Sequence, residues 1–104
     1  MADLNLLERL CTAQGISGDE GAVREVILKE ITPFAKSVTV TPLGNLIVEK
    51  EGAARAKTRV LLNAHMDEVG LIVTGINENG LLRFSTVGGT DRRILPGKSV
   101  LVAG

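Results

Sequence analysis

The spacing of hydrophobic residues over the first third of the chain predicts two amphipathic helices. In residues 3–13 apolar side chains recur three and four positions apart, while charged side chains take the opposite side. A glycine-bounded segment, residues 15–18, separates this helix from a second apolar stripe that ends near Pro33. Ser17 is followed three positions later by Glu20, the spacing of a capping box, and we expect this pair to begin the second helix.

From residue 37 the hydrophobic period shortens to two, which is typical of strands. Residues 37–41 and 46–48 are predicted to pair as a hairpin. Gly44 and Asn45 lie between them and predict a tight turn, since asparagine tolerates a positive φ better than most residues.

Three further stretches of the chain are predicted to be extended. Residues 60–62 are uninterrupted Val-Leu-Leu, the pattern of a central strand that is buried on both faces. Residues 69–76 and 81–87 flank an Asn-Glu-Asn-Gly turn, and residues 99–102 are expected to start one more strand. Helices and strands mixed in this way predict an α/β fold with two helices, a hairpin and a central strand.

The amino-acid composition argues against several classes of function. Twelve Lys and Arg balance twelve Asp and Glu, which argues against a nucleic-acid binder or a polybasic membrane patch. The chain has no Trp or Tyr and two Phe, so aromatic platforms for bases or sugars are scarce. The single cysteine, Cys11, excludes an intrachain disulfide framework and is expected to pack against its helix's neighbours. With no pattern of a signal peptide or a membrane span, we expect a soluble cytoplasmic protein.

His65, the only histidine, is the first candidate for chemistry. Asp67 lies two positions later, so on an extended segment both side chains point to the same side. The carboxylate can then bond one imidazole nitrogen and leave the other for a metal ion. From these residues alone, an ordinary strand-end histidine remains the alternative. A zinc site needs three protein ligands, usually with more than one histidine or cysteine among them. Because this chain has one histidine and one cysteine, it is expected to hold only part of a metal site.

Two other segments have both a chemical and a structural interpretation. Ser17 could be a nucleophile or border an anion site at a helix N-terminus, but a nucleophilic serine needs a histidine base and helix capping is favoured. Residues 88–91, Gly-Gly-Thr-Asp, could form a backbone anion nest, yet a plain turn is the more economical interpretation.

Four segments are more informative in their order along the chain than each is by itself. They are Gly-Ile-Ser-Gly-Asp-Glu from residue 15, Pro-Leu-Gly-Asn-Leu-Ile from residue 42, Val-Leu-Leu-Asn-Ala-His-Met-Asp-Glu-Val-Gly from residue 60, and Val-Gly-Gly-Thr-Asp-Arg-Arg-Ile-Leu-Pro-Gly-Lys from residue 87. This series resembles the N-terminal portion of the dinuclear-metal aminopeptidases of the glutamyl/leucyl type, the tetrahedral aminopeptidases. Some relatives in that family are labelled endoglucanases. Thr41 departs from the family, which commonly has an aspartate at this position.

The resemblance implies a role for each part of the chain. Residues 1–69 would be the N-terminal part of a zinc-peptidase-like α/β catalytic domain, and residues 70–104 the beginning of an inserted β-rich dimerisation domain. His65 would be a metal ligand, and Asp67 a catalytic residue that orients it. The family uses two divalent ions, zinc or cobalt, acts on peptides and forms homo-oligomers.

In that family a metal-activated water hydrolyses the N-terminal peptide bond, with a glutamate as general base. The base, the bridging aspartate and the remaining ligands match no residue of this chain, so we expect it to be inactive alone, and whether it is itself an enzyme stays open. A non-catalytic, self-associating module is the alternative, because unpaired strand edges promote association. A glycoside hydrolase is a minor alternative, since such enzymes need two opposed carboxylates and usually aromatic sugar platforms.

Overall fold

The structure is a computed structural model that describes residues 3–54 and 58–102. By its internal contacts the chain divides into two compact units, Met1–Glu68 and Val69–Gly104. The first unit carries two helices and a two-stranded sheet, and the second carries another two-stranded sheet. The predicted α/β character is confirmed. None of the helices in the described ranges is long and apolar enough to cross a membrane.

The first predicted helix is confirmed as α1, Leu4–Thr12. Asp3 caps it, and its side chain accepts hydrogen bonds from the backbone N–H groups of Asn5 at 3.0 Å and Leu6 at 3.2 Å. Cys11, which was expected to pack, is exposed, because no described element covers that part of the helix.

The second helix, α2, spans Gly21–Ile31 and continues into a 3₁₀ turn at Thr32–Phe34, but the predicted capping box is wrong. Glu20 occupies the cap position without a side-chain bond to the helix, and its carboxylate instead accepts from the Gly18 N–H at 2.6 Å. Gly18 adopts a φ of +93°, which turns the chain before the helix starts and takes Ser17 away from the helix end.

The first hairpin is confirmed, with β1 at Ser37–Val40 paired antiparallel to β2 at Leu46–Glu49. The turn differs in detail from the prediction, because Gly44 and not Asn45 has the positive φ, +84°. Glycine takes this conformation without a Cβ clash. The Asn45 N–H donates to the Thr41 hydroxyl at 3.1 Å, so Thr41 does make a polar contact, within the turn itself.

The second unit is built on another confirmed strand pair, β3 at Gly70–Ile76 and β4 at Leu82–Val87, with an irregular register between Val73 and Gly75. After β4 the chain bends at Gly88 and Gly89, where the Thr90 N–H donates to the Gly88 carbonyl at 3.0 Å, and then enters a 3₁₀ turn at Arg92–Ile94. The Asp91 side chain caps this 3₁₀ turn and pairs with Arg93 at 2.7 Å.

Two predicted strands are absent from the structure. Residues 60–62 make no ladder, and their side chains are 83–90% exposed. Residues 99–102 likewise form no strand. A central strand requires hydrogen-bonded neighbours on both sides, and the described residues provide none for either segment. Among the described residues Val23 on α2 is the one buried hydrophobic side chain, with 7% exposure.

Candidate functional site

A close backbone crossing joins two distant segments of the first unit, residues 15–18 and residues 66–68. The Glu68 N–H donates to the Gly15 carbonyl at 2.7 Å, and Ile16 forms a parallel bridge with Glu68. Gly15 is buried, and a Cβ there would lie 2.5 Å from Cγ2 of Val23 and 3.3 Å from the Met66 carbonyl oxygen. The crossing therefore depends on glycine at this position.

His65 and Asp67 are in direct contact beside this crossing. The imidazole Nδ1 lies 2.9 Å from the Asp67 carbonyl oxygen and 3.1 Å from its carboxylate Oδ1. Because both partners are acceptors, the neutral ring carries its proton on Nδ1 and keeps the lone pair on Nε2. The side chain of His65 is 86% exposed, so Nε2 is accessible.

Ser17 also belongs to this site, through a contact with Asp67 that the sequence analysis did not predict. Its hydroxyl donates to Oδ2 of Asp67, across 50 positions of the chain. The hydrogen bond from Ser17 is the main reason that the pKa of Asp67 lies below its ordinary value of 3.8, and the contact with His65 adds to it against partial desolvation. No local pattern signals this contact, because the two residues are 50 positions apart and the spacing of Ser17 to Glu20 favoured a helix cap.

The donor set of the described residues fits one part of a metal site. No group of three or more His, Cys, Asp or Glu side chains converges anywhere in residues 3–54 and 58–102. His65 presents an open imidazole nitrogen, and its other nitrogen is hydrogen-bonded to a carboxylate, which is the usual arrangement of a metal-binding histidine. Asp67 uses both carboxylate oxygens in hydrogen bonds within the chain. The chain thus supplies one well-oriented nitrogen donor.

Comparison with solved structures finds chains of similar fold in two aminopeptidases and in one protein named an endoglucanase. A TET aminopeptidase from the marine sediment archaeon Thaumarchaeota archaeon SCGC AB-539-E09 matches with a TM-score of 0.79 and 36% identity, covering 88% of this chain and 25% of that one. PhTET1-12s, solved as a dodecamer in the asymmetric unit, matches with a TM-score of 0.77 and 45% identity over 91% of this chain and 28% of its own. A protein named endoglucanase from Thermotoga maritima matches with a TM-score of 0.81 and 44% identity, covering 88% of this chain and 29% of its own.

The matched proteins are all longer. The chain spans about a quarter of the length of the curated relatives it matches. The sequence model of the family described as M42 glutamyl aminopeptidase matches residues 44–104, which include the His65 segment and the whole second unit. The chain belongs to the M42 glutamyl aminopeptidase family.

Proposed function

We propose that this chain forms the N-terminal part of a metal-dependent aminopeptidase that removes N-terminal residues from peptides. In this proposal residues 1–69 belong to the zinc-peptidase-like catalytic domain, and residues 70–104 begin the inserted β-rich dimerisation domain. The family membership supports the reaction class. The observation that carries the proposal is the imidazole of His65, whose Nδ1 is held by Asp67 while Nε2 stays open.

His65 would act as a ligand through Nε2, in its neutral form, and Asp67 would keep the ring in the required tautomer and orientation. The cofactor would be two divalent ions, zinc or cobalt. Such ions, when bound, lower the pKa of water and polarise the peptide carbonyl. Imidazole nitrogen suits both metals, so the donor alone does not choose between them.

The chain by itself should not hydrolyse peptides. Catalysis needs at least three protein ligands and a general base, and the described residues offer one oriented nitrogen donor. We expect no release of p-nitroaniline from aminoacyl p-nitroanilides by the pure chain with Zn²⁺ or Co²⁺. Release that disappears in His65→Ala would refute the incomplete-site part of the proposal.

A chimera tests the proposed role directly. This chain would replace the matching N-terminal portion of the archaeal TET aminopeptidase, of which it covers 25%. We expect the chimera to hydrolyse aminoacyl p-nitroanilides and His65→Ala within it to abolish the activity. Asp67→Asn, which keeps the shape but loses the charge, should retain only a small part of it. An assembled chimera that works equally well with His65→Ala would contradict the metal-ligand assignment.

Self-association is the second candidate function, and specific side chains favour it. Leu61 and Leu62 are 89% and 90% exposed in the described chain, and exposed apolar side chains of this size promote association. Assembly into a homo-oligomer, as in the dodecameric PhTET1-12s, is compatible with the aminopeptidase proposal as well. Light scattering on an eluting size-exclusion peak distinguishes a monomer from an oligomer. A monomeric chain would count against the interaction module and leave the peptidase proposal standing.

The remaining assignments follow the same proposal. The name endoglucanase belongs to one structural neighbour, and a sugar hydrolase is disfavoured for this chain because it has no Trp or Tyr to stack on a sugar ring. Its partners would be peptide substrates and copies of itself. A cytoplasmic location fits a chain with one exposed cysteine, which the reducing cytosol would keep as a thiol.

A further inference from the structure

We propose that Ser17 is a positioning residue for the His65 site. Its hydroxyl holds the carboxylate of Asp67 in the rotamer that accepts a hydrogen bond from Nδ1–H of His65, and this leaves the lone pair of Nε2 open to a metal ion. The hydrogen-bond relay from Ser17 through Asp67 to His65 stands on the geometry of this chain. Its relevance to metal binding rests on the proposed function.

The carboxylate of Asp67 is fixed from both sides. Oδ2 accepts from the Ser17 hydroxyl, and Oδ1 lies 3.1 Å from Nδ1 of His65. The last side-chain torsion of aspartate is broad and weakly restrained by itself. With Ser17 removed, Oδ2 loses its donor and the carboxylate can rotate away from the imidazole. The Asp67 carbonyl oxygen, 2.9 Å from Nδ1, would still accept a hydrogen bond from the ring, so the preference for the Nδ1–H form would be reduced and not abolished.

The backbone crossing does not require the Ser17 side chain. The Gly15 carbonyl and the Glu68 N–H hold the two segments together at 2.7 Å, and the bridge between Ile16 and Glu68 adds to that contact. Ser17 also takes no part in capping α2, which begins at Gly21. The Ser17 hydroxyl therefore acts on Asp67, to which it donates a hydrogen bond, and not on the backbone crossing. Ser17→Ala should leave the local backbone in place.

The ring tautomer of His65 is the readout of this relay. Because His65 is the only histidine, selective ¹⁵N-histidine labelling gives one set of ring nitrogen signals. Long-range proton–nitrogen spectra of the 104-residue chain, recorded where the imidazole is uncharged, report the ratio of the Nδ1–H to the Nε2–H form. We expect mainly the Nδ1–H form in the unaltered chain.

Five variants, one of them a double substitution, separate positioning from simple structural support. Ser17→Ala should lower the ratio of Nδ1–H to Nε2–H by about two- to tenfold, which is what one hydrogen bond of ordinary net strength is worth. Ser17→Thr keeps the hydroxyl and should restore the ratio. Asp67→Ala should lower it too, and adding Ser17→Ala to that variant should change nothing further. Ser37→Ala is the matched control, because Ser37 lies in β1 of the same unit and its hydroxyl donates to the Glu49 carboxylate, at 3.3 Å, and not to the His65 site.

Each outcome decides the proposal. A Ser17→Ala spectrum with an unchanged ratio overturns it, as does an additive effect of Ser17→Ala in the Asp67→Ala chain. A shift in ratio accompanied by a displaced Glu68 amide signal in both Ser17 variants, recorded on uniformly ¹⁵N-labelled protein, would show a structural role only, and also overturns it. Zn²⁺ addition tests the proposed function separately: the Nε2 signal of His65 should move. If the ratio responds as expected but Zn²⁺ leaves Nε2 unmoved, the relay stands and the metal-ligand assignment falls.

Discussion

Gly15→Ala should destabilise the first unit, because the added methyl group has no room. The Cβ would lie 2.5 Å from Cγ2 of Val23, whereas carbon atoms in ordinary contact are about 3.5 Å apart, so the pair must separate by about 1 Å. Val23 is β-branched and sits in a helix, where one rotamer dominates. The Met66 carbonyl oxygen, 3.3 Å away on the other side, is backbone and has little freedom to yield.

The expected cost follows from this geometry. Forcing one extra methyl group into a filled space costs about 1–3 kcal/mol of unfolding free energy. Val23→Ala alone removes two methyl-sized groups from a side chain that is 7% exposed, at about 0.8 kcal/mol each for transfer to water. In the double variant the clash disappears, so its total cost should fall short of the sum by about 1 kcal/mol or more.

Urea denaturation followed by the helical circular dichroism signal measures these free energies. Gly21→Ala is the matched control, since the same added methyl at the start of α2 meets only Arg24 Nη2 at 4.0 Å and should be neutral or slightly stabilising. Strictly additive costs for Gly15→Ala and Val23→Ala would refute the reasoning. So would a Gly15→Ala chain as stable as the Gly21→Ala control.

Three further predictions concern caps and turns. Asp3→Ala should cost about 1 kcal/mol of α1 stability, because the helix loses its side-chain cap; the thermal loss of helical dichroism checks this. Gly44→Ala should cost about 1–2 kcal/mol in urea denaturation, since alanine is strained at a φ of +84° and its Cβ would meet Arg24 Nη1 at 2.9 Å; an unchanged midpoint would contradict it. The Arg93 guanidinium holds the pKa of Asp91 below its ordinary 3.8, so the cap of the 3₁₀ turn is fully present above pH 3.8 and is lost as pH falls through the lower folded pKa. A ¹³C carboxyl titration of Asp91 should show that lowered midpoint, and Arg93→Gln should return it towards the ordinary value.

Local features of the fold could be predicted because the residues that decide them are neighbours in the chain. The stripe that forms α1, the alternation in β1 and β2, and the turn between β3 and β4 each depend on side chains a few positions apart. The contact between His65 and Asp67 belongs to the same class, since the two residues are separated by one position.

The strand expected at residues 60–62 shows the limit of that reasoning. Its apolar run shows that a buried strand could form there, but a strand exists only when other chain segments accept and donate its hydrogen bonds. Those partners are set by non-local pairing, and the described residues contain none for this segment. Hydrophobicity alone therefore overstated the regular structure of the described chain.

The sequence by itself determined the two helices, the two strand pairs and the pairing of one histidine with one aspartate, because each depends on short-range periodicity and sterics. Only the tertiary structure decided what Ser17 does. A serine hydroxyl can cap a helix three residues away or bond a carboxylate 50 residues away, and the sequence spacing favoured the cap. The turn at Gly18 and the crossing of Gly15 with Glu68 place the hydroxyl on Asp67 instead, because backbone geometry selects among partners that local chemistry leaves equivalent.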